Sequence, residues 1–575
     1  MKKSIRLSWL AVILLGVGLV LALPKTGLQA KASPPSPLVT GSIYDRQGQP
    51  VVGARIRLDS PDANSPLAET TTQPDGRFAL PVPQPVPDRL VVHIKRAHYQ
   101  EASVELDAAA TERLRDGQSI VLPDTTLLRR VSLAFWVATL VFVAVLVIIA
   151  TGKLHNTLAA LAGAAFIFAV SYLGRPLAED LFIFDFRGAL GYVDWNVIFL
   201  IMGMMIIIAV VERTGIFQWL AFRAYRISGG HLWLLLPILM LVTGIASAFL
   251  DNVTTMLLMT PISIQISMVM GVNPLALLMP EVMASNVVGI STLIGTPTNI
   301  LIGSYGKISF NAFLVNLTPG VLLALIGLIL YSEFTYRREL RAGGGGGISQ
   351  LLLQRLSERA RITEPEHLKK AGWVGAGMLI LFVLGEHVHL LPAVTALMGA
   401  TALLVWIRPD IEEMIEAVDW TTLVFFITLF IVVGSIQEVG LISFIADAIG
   451  RLVGSNLLLA MLVVIWFSAL LSTVIANIPF TAAMLPVIGY LTATVPGAHT
   501  RVLFYCLSVG SAMGGNGSLI GASANMVTAG IAERAGHPIT YLYFLKKGFP
   551  ALLITVGLAT LWLLLHFLVL SHAGG

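Results

Sequence analysis

"SAFLDNVTTMLLMTP", Ser247 to Pro261, places an Asp and an Asn in the middle of a run from Trp233 to Met270 that holds no other charged side chain. An Asp at the centre of a bilayer helix costs roughly 2.5–3.5 kcal/mol on insertion scales, so its presence needs a reason. No polar loop flanks the pair to carry it into water, and both arms are too hydrophobic to leave a membrane. The stretch therefore reads as the tip of a re-entrant hairpin inside protein, because irregular backbone at that depth is tolerated only where it is buried or lines a cavity. Two full spans joined by a tight surface turn satisfy the same residue count and remain the alternative.

Working outward, the 575 residues are 56% hydrophobic and 12% charged, with a mean hydropathy of +0.82. A soluble domain carries roughly 25% charge, so this is a polytopic membrane protein whose first partner is the lipid bilayer. Apolar stretches near the ~20 residues needed to span recur from Val131 onward: Val131–Ala150, Leu154–Leu173, Phe313–Leu330, Trp420–Ile436 and Phe549–Leu570. The lone Cys506 excludes disulfides and a cysteine metal site, and a net charge of +4 gives no nucleic-acid surface.

The first 130 residues are of another kind. Lys2, Lys3 and Arg6 precede the apolar run Trp9–Leu23, and "LQAKAS" offers small residues at Ala30 and Ala32. Residues 1–32 thus read as a signal peptide or a retained anchor helix. Residues 33–127 are rich in Pro and Gly, with alternating runs such as "ARIRL" and "LVVHI" between turns such as "QPDGR". That pattern predicts a small exported antiparallel β-sandwich. Through Gly41, Asp45, Gly48, Pro50, Gly53, Ala54, Asp75, Gly76 and Phe78 it resembles the carboxypeptidase regulatory-like domain, which implies a binding or spacer module without chemistry of its own.

The apolar part repeats itself. Adding 225 carries Asp194 and Trp195 onto Asp419 and Trp420, Gly215 onto Gly440, Ser247 onto Ser472, Asn252 onto Asn477 and Pro261 onto Pro486. Adding 226 carries Gly289, Leu293, Ile294, Gly295 and Asn299 onto Gly515, Leu519, Ile520, Gly521 and Asn525. Chance likeness of apolar segments would align Leu with Val, not Asp, Trp, Asn and Pro. Residues 131–335 and 372–575 are therefore two copies joined by a linker, 336–371, and each copy reads as five spans plus a hairpin. Five is odd, so the second copy enters from the opposite face, as in inverted-repeat transporters. Arg337, Arg338, Arg341, Arg355, Arg359, Arg361, Lys369 and Lys370 place the linker in the cytoplasm, leaving the β-domain and the C-terminus outside, and Gly343–Gly347 make a flexible joint.

"STLIGTPTNILIG", Ser291–Gly303, and "GSLIGASANMVTAG", Gly517–Gly530, are Gly- and Pro-containing breaks in the span after each hairpin. With "SAFLDNVTTMLLMTP" and "PEVMASNVVGISTLIGTPTN" they resemble the ion transporter superfamily: arsenite permeases, NhaD-type sodium/proton antiporters, the melanosomal P protein and citrate and dicarboxylate carriers. The resemblance implies a homodimer of scaffold and moving parts. The Ser-Asn-Thr triplets of the dicarboxylate carriers stand here as Asp251-Asn252-Val253 and Ala476-Asn477-Ile478, a departure that weighs against a dicarboxylate.

Candidate site residues follow. Asp251 and Glu281 align with Ala476 and Leu507, so both carboxylates belong to the first copy. Asp251, Asn252, Thr254, Thr255, Glu281 and Asn286 are expected to couple transport to sodium or a proton, with a sodium ion near Asn252 and Asn299; no other cofactor is expected. Asp251 has a second reading as the cap of the following helix, accepting near Thr254 and Thr255, and Glu281 has one as a residue near the membrane surface. Gly295, Thr296, Pro297, Thr298 and Asn299 from one break, and Asn477, Asn516, Gly521, Ser523 and Asn525 as its neutral mirror, are expected to bind the substrate or ion. His387 and His389 read as solvated loop residues. With no Walker loop, zinc spacing or nucleophile elbow, the chain is not expected to be an enzyme. It is expected to be an ion-coupled secondary transporter of a small inorganic ion or oxyanion in the bacterial inner membrane. A carboxylate symporter is the alternative within the superfamily, and a channel or a sensor the alternative outside it.

Overall fold

The computed structural model describes residues 36–46, 48–61, 65–342 and 361–570. The signal or anchor segment and the Gly343–Gly347 joint lie outside them. The chain falls into two compact units, one ending at Leu128 and the other beginning at Arg129.

The first unit holds β1 (Leu38–Asp45), β2 (Arg55–Asp59), β3 (Ala68–Thr71), β4 (Arg77–Pro81), β5 (Val91–Lys95), β6 (Ala102–Glu105), α1 (Ala108–Arg115), β7 (Ile120–Val121) and β8 (Thr125–Leu127). Side chains alternate in and out along β2 and β4, as a half-buried sheet requires. One sheet has the order β4-β1-β7 with β8 also on β1, the other β3-β2-β5-β6, and Ile43, Ile56, Leu80, Ile94 and Leu114 share one core. The sheets depart from the all-antiparallel expectation. β1 runs parallel to β7, with Val39 opposite Ile120, and parallel to β8, with Ile43 opposite Thr125. Parallel pairing needs a long crossover, which the intervening chain and α1 supply; alternation along a strand carries no information on its partner's direction.

The second unit is helical throughout. Its first run is α2 (Leu133–Thr151), α3 (Asn156–Ala169), α4 (Trp195–Arg213), α5 (Ile216–Ile227), α6 (Leu232–Phe249), α7 (Asn252–Val269), α8 (Leu275–Val288), α9 (Pro297–Gly306) and α10 (Phe310–Thr335). The second run is α11 (Pro365–Leu384), α12 (Pro392–Ile407), α13 (Trp420–Glu438), α14 (Leu441–Val453), α15 (Leu457–Ser472), α16 (Asn477–Thr494), α17 (Val502–Gly514), α18 (Ser523–Arg534) and α19 (Tyr541–Leu564), with short turns between. Among the described residues, eight helices are long and apolar enough to cross a membrane. That number is smaller than the ten expected spans because α12 has only 16 residues and each broken span is two short helices; the hairpin arm α6, by contrast, is long enough to be counted.

The two runs match in detail. Asp194 caps α4 through Asn196 and Val197, and Asp419 caps α13 through Thr422. Gly215 and Gly440 both take positive φ, 75° and 91°, where the chain turns into the amphipathic α5 and α14. Packing crosses between the runs in exchanged pairs: α4 lies on α12 and α13 on α3, α7 lies on α18 and α16 on α9, and α10 lies on α19. Such exchange is what a two-fold relation produces.

Candidate functional site

Asp251 stands in the break between α6 and α7. Its Oδ1 accepts from the backbone N–H of Val253 and of Thr254, both at 2.9 Å, and its Oδ2 from the Thr254 hydroxyl at 2.5 Å. The cap therefore closes on Val253 and Thr254, one residue earlier than Thr254 and Thr255, because a capping side chain reaches the second and third N–H groups of its helix. The Thr255 hydroxyl is buried with no partner.

Asn252 points the other way, into protein. Its Oδ1 accepts from Ser247 at 2.8 Å, and Ser247 accepts from Ser285 at 2.9 Å. Asn252 Nδ2 donates to Asn286 Oδ1 at 2.9 Å, and Asn286 Nδ2 donates to both Asn516 and Asn525 at 2.9 and 3.0 Å. This buried chain joins the first hairpin tip to the second copy's break.

The breaks are built alike. Asn299 Nδ2 donates to the carbonyls of Ile290 and Thr292, both at 2.8 Å, and Asn525 Nδ2 to those of Gly515 and Ser518 at 2.8 and 2.9 Å. Thr292 donates to Ala248 O, and Ser518 to Thr473 O, fastening each break to its own hairpin. A Cβ on Gly295 would lie 2.7 Å from Ser247 O, and one on Gly521 2.9 Å from Ser472 O, so only glycine permits this approach. Thr296 caps α9 through Asn299 N and pairs with the Thr298 hydroxyl. The two asparagines thus hold unwound backbone in place. Their oxygens are occupied as well, Asn299 Oδ1 by Ser508 at 2.6 Å and Asn525 Oδ1 by Asn286. The Oδ1 atoms of Asn252 and Asn299 each accept one hydrogen bond, from Ser247 and from Ser508.

A cavity of about 1010 Å³ lies between the copies, lined by Asp251, Thr254 and Pro297 from the first and by Ala476, Asn477 and Ser523 from the second. Its rim carries Lys153, His155, Glu212, Asp419 and Arg534. The expected residues divide into two groups. Asp251, Thr254, Pro297, Asn477 and Ser523 face the cavity, whereas Asn252, Asn286, Asn299, Asn516 and Asn525 form the buried framework behind it. The neutral mirror site is accordingly split, with Asn477 and Ser523 separated from Asn516 and Asn525 in role. Glu281 is fully buried in protein and does not line the cavity. His387 and His389 lie exposed on a short turn. No cluster of three metal-ligating His, Cys, Asp or Glu side chains occurs among the described residues.

Ser247 and Ser285 carry structure that sequence reasoning did not assign to them. The signal was present, since Ser247 recurs as Ser472 and Ser285 as Ser511, and Ser472 donates to the Ser511 carbonyl at 2.6 Å. The charged rim was missed because its members come from distant loops.

The N-terminal unit matches the carboxypeptidase regulatory-like domain over residues 38–117. A Mycobacterium tuberculosis protein described as an uncharacterized transporter is 37% identical over 442 residues, covering 76% of this chain and 99% of its own. The P protein of Homo sapiens is 30% identical over 512 residues, covering 76% of this chain and 60% of its own. Among solved structures, the Alcanivorax borkumensis YdaH transporter aligns at 14% identity and a TM-score of 0.49, over 71% of this chain and 98% of that one. Residues 145–503 match the citrate transporter family, and with the helical unit and its cavity this makes the chain an integral membrane protein that belongs to that family of transporters.

Proposed function

We propose that the chain is a secondary active transporter that carries a small anion, an oxyanion or a carboxylate, by alternating access, driven by sodium or protons. The observation that carries this reading is that one cavity is lined by both hairpin tips and both breaks. Around it end the N-termini of α7, α9, α16 and α18. Asp251 caps the first and Thr296 the second, while α16 and α18 have no side-chain cap. Free N–H groups and the positive ends of helix dipoles attract an anion, so the side bearing Asn477 and Ser523 suits the anionic substrate. Asp251, on the facing side, suits the coupling cation or proton. The carboxylate reading is favoured in turn by the citrate transporter match.

The same reading makes the repeats inverted and the hairpins re-entrant, entering from opposite faces. The rim lies at one end of the bundle: Glu212 adjoins Arg213, which pairs with Glu413 and whose carbonyl accepts from Thr363, two residues past Arg361. Arginine-rich segments favour the cytoplasm, so this conformation opens inward. Uptake and efflux in proteoliposomes of sodium, protons, arsenite, chloride and carboxylates under imposed gradients is the test. Absence of gradient-driven flux for every member of that panel, or currents far above carrier turnover, would overturn it.

A further inference from the structure

Glu281 lies outside the cavity and is enclosed by α6, α7 and α8. Its Oε2 accepts from Ser263 at 2.9 Å and from Thr243 at 3.5 Å, while Oε1 is buried with no partner. Among the described residues its partners are hydroxyls and no cation pairs with it. Helices α6, α7 and α17 bear no charged side chain, with Asp251 standing only at the α7 cap and Arg501 only at the α17 cap. The other helices packed on α8 carry their charges elsewhere: Glu333 on α10, Glu533 and Arg534 on α18, Lys546 and Lys547 on α19. The titratable Tyr331, Tyr505, Cys506, Tyr541 and Tyr543 of these helices make no hydrogen bond to it. An ionised carboxylate so placed would be a buried charge with an orphaned oxygen, a costly state unless neutralised.

The fold itself does not require an acid there. The equivalent position of the second copy is Leu507, also fully buried, and the Ser468 hydroxyl at the equivalent of Thr243 is left without a partner. One helical turn toward the tip, Thr243 is succeeded by Ser247 and Glu281 by Ser285, and there Ser285 donates to Ser247, which donates to Asn252 beside Asp251. Two hydroxyls around a carboxyl are too few oxygens for a dehydrated sodium ion, and they suit a proton.

We propose that Glu281 is an occluded proton-carrying carboxyl behind the first hairpin, whose loss or gain of a proton is felt at the tip through Ser285, Ser247 and Asn252. Its meaning for coupling rests on the transport reading above. When α6 and α7 part and the proton passes to water, the bare carboxylate draws its partners Thr243 and Ser263 toward itself, and the shift of α6 carries Ser247, one turn on from Thr243, and with it the hydrogen bonds that hold Asn252. The proton is thereby linked to the position of the cap that faces the cavity.

Infrared spectroscopy of the full chain in lipid nanodiscs, in heavy water, tests the proton directly. At neutral pH the wild type is expected to show a carboxylic C=O band that Glu281→Gln and Glu281→Leu both lack, the Leu variant copying the second copy. Identical spectra, or no protonated carboxyl in the wild type at all, would overturn the proposal, and the latter result needs no folded variant. Ser247→Ala is expected to move the band or its titration; an unmoved band would sever Glu281 from the tip. In proteoliposomes containing a pH-sensitive dye, pulses of sodium chloride, sodium arsenite and sodium citrate are expected to move protons with the wild type and not with Glu281→Gln. A wild type silent to all three probes would sink coupled proton movement, while the infrared band would decide separately whether Glu281 holds a proton.

Discussion

Asn286 Nδ2 donates at 3.0 Å to Oδ1 of Asn525, a residue 239 positions away in the other copy. With the bond to Asn516 and the one Asn286 accepts from Asn252 at the hairpin tip, it ties the hairpin of one copy to the break of the other, and every member of the set is buried. Asn286→Ala would leave Asn252 Nδ2 without its acceptor and strip a donor from both Asn516 and Asn525. Each orphaned buried group costs about 1–3 kcal/mol, so thermal unfolding in detergent should show a marked drop in Tm. An unchanged Tm would mean that water replaces the network at once.

Asp251 separates two roles by charge. Asn caps about as well as Asp, so Asp251→Asn should keep the helix start and the fold while abolishing gradient-driven transport. Asp251→Ala should lose, in addition, about 1 kcal/mol of stability. Near wild-type, gradient-driven flux in the Asn variant would reduce the residue to a cap. Flux and melting curves measured on the same preparations distinguish the outcomes.

How much of this was legible beforehand depended on whether the signal was local. The Asp251-Asn252 break and the paired Gly and Pro interruptions could be read because a charge or a glycine in an apolar run conflicts with its surroundings. The repeat could be read because Asp, Asn and Pro recurred at fixed offsets. The division of labour could not. Asp251 and Asn252 are neighbours in sequence, yet one faces the cavity and the other the framework, since successive residues at a helix start point in different directions. Likewise nothing along "MPEVMASN" shows whether Glu281 meets solvent; its burial is decided by α6 and α7 closing over it. The parallel partners of β1 depend on chain that comes some 75 to 80 residues later.

The two close approaches at the breaks predict a sharp steric contrast. Gly295→Ala and Gly521→Ala each drive a methyl group into backbone carbonyls, which have no rotamer by which to yield. Gly557→Ala on α19 meets nothing within 4 Å and removes a helix-interior glycine, worth up to about 1 kcal/mol in favour of the folded chain. Folded yield by fluorescence-detected size exclusion should fall severely for the first two and hold for the third. Wild-type yield from Gly521→Ala would show that the break can move away from the second hairpin.

The N-terminal β-domain provides a further test. Among the described residues no cavity-lining residue precedes Ile149, so deletion of residues 34–123 with membrane insertion preserved should leave coupled flux largely intact. Complete loss of flux from a correctly inserted protein would give the β-domain a part in transport.

The inward-facing reading can be checked by thiol labelling. Cys506 is fully buried, so Cys506→Ala provides a thiol-free chain at little structural cost. In that background Met526→Cys, on α18 and lining the cavity with 39% of its surface exposed, should react with a membrane-impermeant maleimide supplied from the cytoplasmic face. Ser285→Cys, wholly enclosed behind the tip, should not react from either face. A transported anion should slow the reaction at Met526→Cys, because the uncapped start of α18 lies in the same cavity. Exclusive labelling from the outer face would reverse the assigned topology, since the rim and the arginine-rich segment share one end of the bundle.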